Sequence, residues 1–343
     1  MVALGGLKKQ HEFFQWANRG KQRDGNSERL GGLRRYAQAA FLFLNLRDSM
    51  RPVWGRGFTR LKTTVNRVQV EIDLEGVGKH AYQRARTVLD RLLADSTVKN
   101  RDAIAAAFID VLRRCPEANA SDLWHHVIYR LYCQILPRHR PQNPQQSWVR
   151  ASGEALEQFV QEWYTPVLAP HNVEIKALIS RDQKKKVLEE MGLGAEVGDS
   201  KLDVSLSLVM GGSGQIFGGV HIKASLAERV SDDVPASRAM MKKGLFSPLW
   251  TLDVKSFPPP HGDLVNRGEL GTQEGPSEKR KYIEEHGDFD GGYSGNRRTV
   301  PSAGQTTSGK RIYRLNLSEQ PDDFARVVLE RAARWRSAAS GAR

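Results

Sequence analysis

Residues 202–224 read LDVSLSLVMGGSGQIFGGVHIKA, two apolar runs of strand length on either side of a glycine-serine turn. Apolar runs of this length bounded by glycine form strands, and GGSG (211–214) suits the tight turn of a hairpin. About eight residues run back from the turn to Asp203 and about nine forward to Lys223, so the pairing predicts that the two ends lie side by side. Side chains two apart on a strand share a face, which aims His221 the same way as Lys223. A carboxylate beside an ammonium group is what phosphodiester hydrolysis asks for. The carboxylate holds a hard divalent cation at the phosphate, while the ammonium group stabilises charge or assists the attacking water.

Outward from the hairpin, SGEALEQFVQEWYTPVL (152–168) reads as an amphipathic helix with Ser152 as N-cap, and VEIKALIS (173–180) as a strand. RDQKKKVLEEMGL (181–193) is a charged helix candidate. After the hairpin, SLAERVSDDVPASRAMMKKG (225–244) is helical with an interruption expected near Pro235, and SPLWTLDVKSF (247–257) gives a further strand. The frame is helix, three strands, helix, strand. From 258 to 310 the composition turns to glycine, serine, proline and charge, which predicts a disordered stretch or a functional loop. KRIYRLNL (310–317) then reads as a strand, and PDDFARVVLERAARWRS (321–337) as a helix capped near Ser318 or Asp322. Upstream, 79–137 has helical spacing throughout, and RHRPQNPQQ (138–146) reads as a linker. The first 70 residues interleave arginine and lysine with glycine and aromatics and read as a basic arm or solvated terminus, with one strand candidate at VQVEIDL (68–74).

This order, with Asp203, the hairpin and Lys223, resembles the PD-(D/E)XK nuclease superfamily. IKASLAER (222–229) looks like the Lys-x-Ser/Thr-x-x-Glu-Arg segment of many type II restriction endonucleases, and SGEALEQFV is similar to their Gly-x-x-x-Glu helix, mapping its acid onto Glu157. The resemblance covers roughly 151–256. It implies an α/β restriction-endonuclease-like core, a mixed central sheet flanked by helices, behind a mainly helical N-terminal domain. The corresponding division is 1–140 for the arm and helical domain and 147–343 for the nuclease domain, with a flexible recognition insertion at 258–310. It further implies magnesium-dependent cutting of double-stranded DNA to leave 5′-phosphates, with Asp203 and Glu157 on the metal, a homodimer matched to a palindrome, and a methyltransferase protecting host DNA.

His221 departs from the pattern, because the family usually carries Asp or Glu two positions before the lysine. Imidazole is a poor magnesium ligand, so the second carboxylate must come from elsewhere: Glu157 first, Glu228 second, Asp232 and Asp233 at greater distance. His221 then contacts water or phosphate, favours manganese, or is a structural histidine. The other site residues have plain alternatives too: Asp203 as a turn residue, Lys223 as an exposed lysine, Glu157 and Glu228 as helix-surface charge. Glu174 with Lys176 and Asp253 with Lys255 repeat the acid-x-lysine form; the second pair is the stronger competitor.

The formal charge of +13 over 343 residues favours polyanionic partners, nucleic acid first. For base reading, the glycine-rich run HGDFDGGYSGNRRT (286–299) offers Asn296, Arg297 and Arg298, and NRGELG (266–271) offers Arg267. The apolar stretch AQAAFLFLNL (37–46) is too short to span a bilayer, so no membrane partner is expected. With only Cys115 and Cys133 and no secretory signal, the expectation is a cytoplasmic protein with reduced thiols. A repair or structure-selective nuclease and a DNA-binding protein that has lost cleavage, which His221 motivates, remain the competing functions.

Overall fold

The computed structural model describes residues 51–55, 57–65, 68–198, 202–210, 213–227, 230–255 and 265–341. The basic arm through residue 50, the apolar stretch 37–46 and Glu228 lie outside them. Among the described residues no helix is long and apolar enough to cross a membrane.

The expected arm gives way at residue 51 to a three-stranded antiparallel sheet, β1 (Arg51–Gly55), β2 (Phe58–Val65) and β3 (Val68–Glu75). Strand alternation explains why so basic a stretch folds: Thr59 and Leu61 are buried on one face, while Arg60 and Lys62 pair across the ladder with Asp73 and Glu71 on the other.

The helical region holds α1 (Lys79–Ala94), α2 (Asn100–Arg114) and α3 (Tyr129–His139), the last preceded by the π-helical segment Leu123–Ile128. The next helix, α4 (Pro144–Leu168), starts eight residues before Ser152. Asn143 caps it, accepting from the backbone N–H groups of Gln145 and Gln146, and Pro144 occupies the first turn where its missing N–H costs nothing. Little linker remains. Arg140 donates to the carbonyls of Leu93, Asp95 and Val98 and so fastens the connection to the α1–α2 turn.

The central sheet runs β4 (Val173–Ala177), β5 (Val204–Met210), β6 (Ser213–Lys223), β7 (Leu249–Thr251), β8 (Gly292–Ser294), β9 (Ile312–Arg314) in that spatial order. Its first three strands are antiparallel and β6 to β9 are parallel, the mixed sheet expected. A bulge in β6 sits beside Gly218 and Gly219, where the backbone of Phe246 comes so close that a Cβ on Gly218 would stand 2.5 Å from its carbonyl oxygen. Flanking helices are α5 (Arg181–Glu190), α6 (Val230–Lys242), α7 (Glu278–Glu284) and α8 (Asp323–Gly341), the last capped by Asp322 through the Ala325 N–H. Helix α6 continues through Pro235 without the expected break, because Val234, Ala236, Ser237 and Met240 stay buried around the one lost donor. Phe159 on α4 touches both Phe108 of α2 (4.6 Å between ring centres) and Trp250 of β7 (5.9 Å), so α4 is shared by the helical layer and the sheet.

The segment expected to be a flexible insertion is built into this core from residue 265 onward. It supplies α7 and β8, with Leu270, Ile283, Phe289 and Tyr293 buried. Buried Arg280 donates to the carbonyls of Leu270 and Gly271 and to Glu284, so even its charge is satisfied inside.

Candidate active site

Strand pairing brings Asp203 and Lys223 together. Lys223 Nζ donates to Asp203 Oδ2 at 3.1 Å, and the backbone N–H of Ile222 donates to the same oxygen at 2.8 Å. Asp203 is held from behind as well, since its carbonyl accepts from Leu178 N–H at 2.9 Å. Burial alone would raise the Asp203 carboxyl, but Lys223, Lys184 and the Ile222 N–H outweigh it and hold the group below the usual carboxylate range.

Behind Lys223 stands Asp233 of α6, 2.7 Å from Nζ. Burial works against the lysine's charge, yet Asp203 and Asp233 together push its pKa well above the ordinary value. Lys223 therefore stays an ammonium ion at neutral pH and is suited to stabilising charge, not to taking a proton. His221 also approaches Asp233, with Nδ1 3.8 Å from Oδ2. His221 is fully buried, its Nε2 3.1 Å from Ser247 Oγ and its ring edge-on to Phe289, so it braces the strand and α6 from within.

Glu157 comes from α4, about midway along the helix. One carboxylate oxygen lies 3.9 Å from Lys184 Nζ, whereas Oε2 is buried with no hydrogen-bond partner among the described residues. Burial and the neighbouring Asp203 charge raise its pKa to about 8. A buried carboxylate oxygen left unsatisfied beside a second carboxylate fits a hard divalent cation, which commonly takes one or two protein carboxylates and completes its shell with phosphate oxygens and water.

Lys184 escaped the sequence reading because it sits in a run of three lysines. Lys185 and Lys186 are solvated, with side chains 64% and 79% exposed, but Lys184 is only 14% exposed and lies 3.5 Å from Asp203 Oδ1. Its spacing was the available signal: Lys184, Leu188 and Met191 share one helix face, and the latter two are core residues.

The acid-x-lysine alternatives do not join this cluster. Glu174 and Lys176 point outward from β4. Asp253 is buried with φ +49°, its carboxylate accepting from Glu269 N–H at 2.6 Å and from Thr299 at 2.7 Å.

The parallel strands end in register, Lys223 beside Thr251, Thr251 beside Ser294, Ser294 beside Arg314. Residues 296–298 follow β8 and so lie along the same sheet edge as Lys223, the edge where ligands gather in sheets of this kind. Asn296 itself is buried: its amide donates to the carbonyls of Asp253 and Asn266, and its oxygen accepts from Asn119 and Arg298 N–H. That leaves it no capacity to read a base in this arrangement. Arg297 pairs with Glu117 and Arg298 with Asp122, each arginine side chain still about one third exposed, and Arg267 is exposed.

No family model matches the chain. It is 49% identical over 266 residues to the type II restriction enzyme AgeI of Thalassovita gelatinovora, a match covering 76% of this chain and 94% of that one. The chain belongs to the type II restriction endonucleases. A solved AgeI–DNA complex superposes with a TM-score of 0.75 at 46% identity, over 79% of this chain and 99% of that one. A pre-specific BsaWI–DNA complex gives 0.40 at 16% identity, over 74% and 93%. This restriction endonuclease is thus a DNA-cleaving hydrolase of a family that generally depends on a divalent metal, and the repair-nuclease and binding-only alternatives give way to it.

Proposed function

We propose that this restriction endonuclease hydrolyses both strands of a specific DNA site with magnesium, leaving 5′-phosphates, through Asp203, Glu157 and Lys223. The observation that carries the assignment is Asp203 Oδ2 shared between Lys223 Nζ and Ile222 N–H, with the unsatisfied oxygen of Glu157 in the same cluster. Asp203 and Glu157 would hold the ion, which when bound supplies Lewis acidity at the scissile phosphate and a polarised water. Manganese, with similar oxygen preferences, would substitute. Lys223, charged and fixed between two carboxylates, stabilises the negative charge that builds on the phosphate in the transition state. His221 and Asp233 position Lys223 and the strand beneath it.

DNA contact is assigned to the strand-end edge, with Arg267, Arg297 and Arg298 facing the duplex and Asn296 holding the loop that carries the last two. A further cavity of about 660 Å³ is lined by Lys99 and Arg150, with Arg101 paired to Glu154 and Arg140 to main-chain carbonyls, and its two remaining cations are assigned to the DNA backbone. Arg150 is seven residues before Glu157 on α4, on the same helix face. Cutting both strands of a palindrome calls for a homodimer, whose interface we assign to the helical region 79–137, and for a cognate methyltransferase in the same cytoplasm. The arm and helical region through 140 then serve DNA binding or dimerisation, and 147–343 the chemistry.

The test is plasmid and phage DNA incubated with wild type, Asp203→Asn and Lys223→Ala, in magnesium or chelator. Discrete magnesium-dependent bands from the wild type, reduced at least ~100-fold in both variants, are expected; full activity in either variant removes that residue from the assignment.

A further inference from the structure

We propose that Lys184 holds the metal position in the metal-free enzyme: its ammonium group lies between Asp203, whose charge it balances, and the Glu157 carboxyl, and must withdraw when the divalent ion binds. The inference rests on the assignment of Asp203 and Glu157 as metal ligands. Lys184 Nζ lies 3.5 Å from Asp203 Oδ1 and 3.9 Å from a Glu157 oxygen, the only lysine or arginine paired with both among the described residues. It approaches the Asp203 oxygen that Lys223 and Ile222 N–H leave open, since both of those address Oδ2.

The placement is built into the chain. Leu178 N–H ties the end of β4 to the Asp203 carbonyl, and two residues later Ser180 opens α5 with a reciprocal cap, accepting from Gln183 N–H while the Gln183 side chain accepts from Ser180 N–H. Lys184 follows in the first turns, on the face whose next members, Leu188 and Met191, are buried in the core. A lysine on a core-facing stripe is costly unless its charge is matched, and here the matching charge is Asp203, with the Glu157 carboxyl beside it. Lys185 and Lys186 instead extend to solvent toward Glu189 and Glu190.

An ammonium ion and a dication cannot share these oxygens, because at contact distance like charges repel strongly in a partly buried site. Four methylene groups allow the Lys184 head to swing outward while its stem keeps its packing. Lys184 is accordingly a positioning residue that holds the place between the two carboxyl groups while no ion is bound, and its presence weakens metal affinity.

The experiment is direct titration of the full-length protein with Mn²⁺, followed by electron paramagnetic resonance of the free ion, for wild type, Lys184→Met, Lys184→Gln, Lys184→Arg and Asp203→Asn, with folding checked by circular dichroism. Lys184→Met and Lys184→Gln are expected to bind Mn²⁺ about tenfold more tightly. They should also lose more melting temperature than wild type in chelator and regain more with Mn²⁺. Lys184→Arg, which keeps the charge, is expected at or below wild-type affinity. Unchanged or weaker binding in both neutral variants overturns the role of Lys184, as does tighter binding in the arginine variant. Wild-type affinity in Asp203→Asn is a different failure, one that removes the metal site itself.

Discussion

Glu157 carries its proton at neutral pH in the metal-free site, because burial and the nearby Asp203 charge raise its pKa from an ordinary 4.5 to about 8. A proton bound more tightly in the folded state than in the unfolded chain stabilises fully at low pH and is lost as the pH climbs. In chelator, stability should therefore fall between pH 5 and pH 8, and Glu157→Gln should flatten that slope; equal slopes in thermal melts would contradict it. Metal binding needs the ionised form, so cleavage at limiting magnesium should rise with pH toward 8, its midpoint moving downward as magnesium is increased. Asp203 and Lys223 were legible in the sequence because a short hairpin counts them into register. Lys184 was hidden in KKK, where composition says surface and only helical phase says otherwise. Asn296 misled because a polar residue in a glycine-rich run reads as exposed, while its burial depends on Asn119 and Asn266, both distant in sequence.

Among the elements, α5 and β6 do most to place the chemistry. Ser180→Ala removes the hydroxyl that accepts from Gln183 N–H and should lower stability by about 0.5–2 kcal/mol in urea unfolding. Because Lys184 sits in the turn that frays, the same variant should bind Mn²⁺ more tightly than wild type. Gly218→Ala puts a Cβ 2.5 Å from the Phe246 carbonyl oxygen, and the required shift of β6 against its neighbour should cost about 1–3 kcal/mol. The main elements from 79 onward followed from periodicity, and the helix, three-strand, helix, strand frame was legible as such. Four were not: the basic β1 and β2, whose alternation was masked by arginine and lysine, α7, which falls in the polar segment read as a loop, and β8, whose three residues are too few to show any period.

At the level of the whole molecule, the net charge of +13 predicts DNA binding that weakens steeply with salt. If Arg297 and Arg298 meet phosphates, each alanine variant should lower the slope of log affinity against log salt by about 1; an unchanged slope would confine them to their ion pairs with Glu117 and Asp122. Analytical ultracentrifugation should show a dimer, and substitutions on the exposed faces of 79–137 should dissociate it. The bond between Asn119 and Asn296 joins residues 177 apart, whereas Asp203 and Lys223 are 20 apart. Close partners meet early and distant ones late, since each must first close its loop of chain. On the ribosome the hairpin carrying Asp203 and Lys223 can thus form while the strand-end segment carrying Arg297 and Arg298 is still being synthesised. A newly made molecule assembles its Asp203–Lys223 pair before the strand-end contacts we assign to DNA, and the grip of that edge is the last part of the proposed site to arrive.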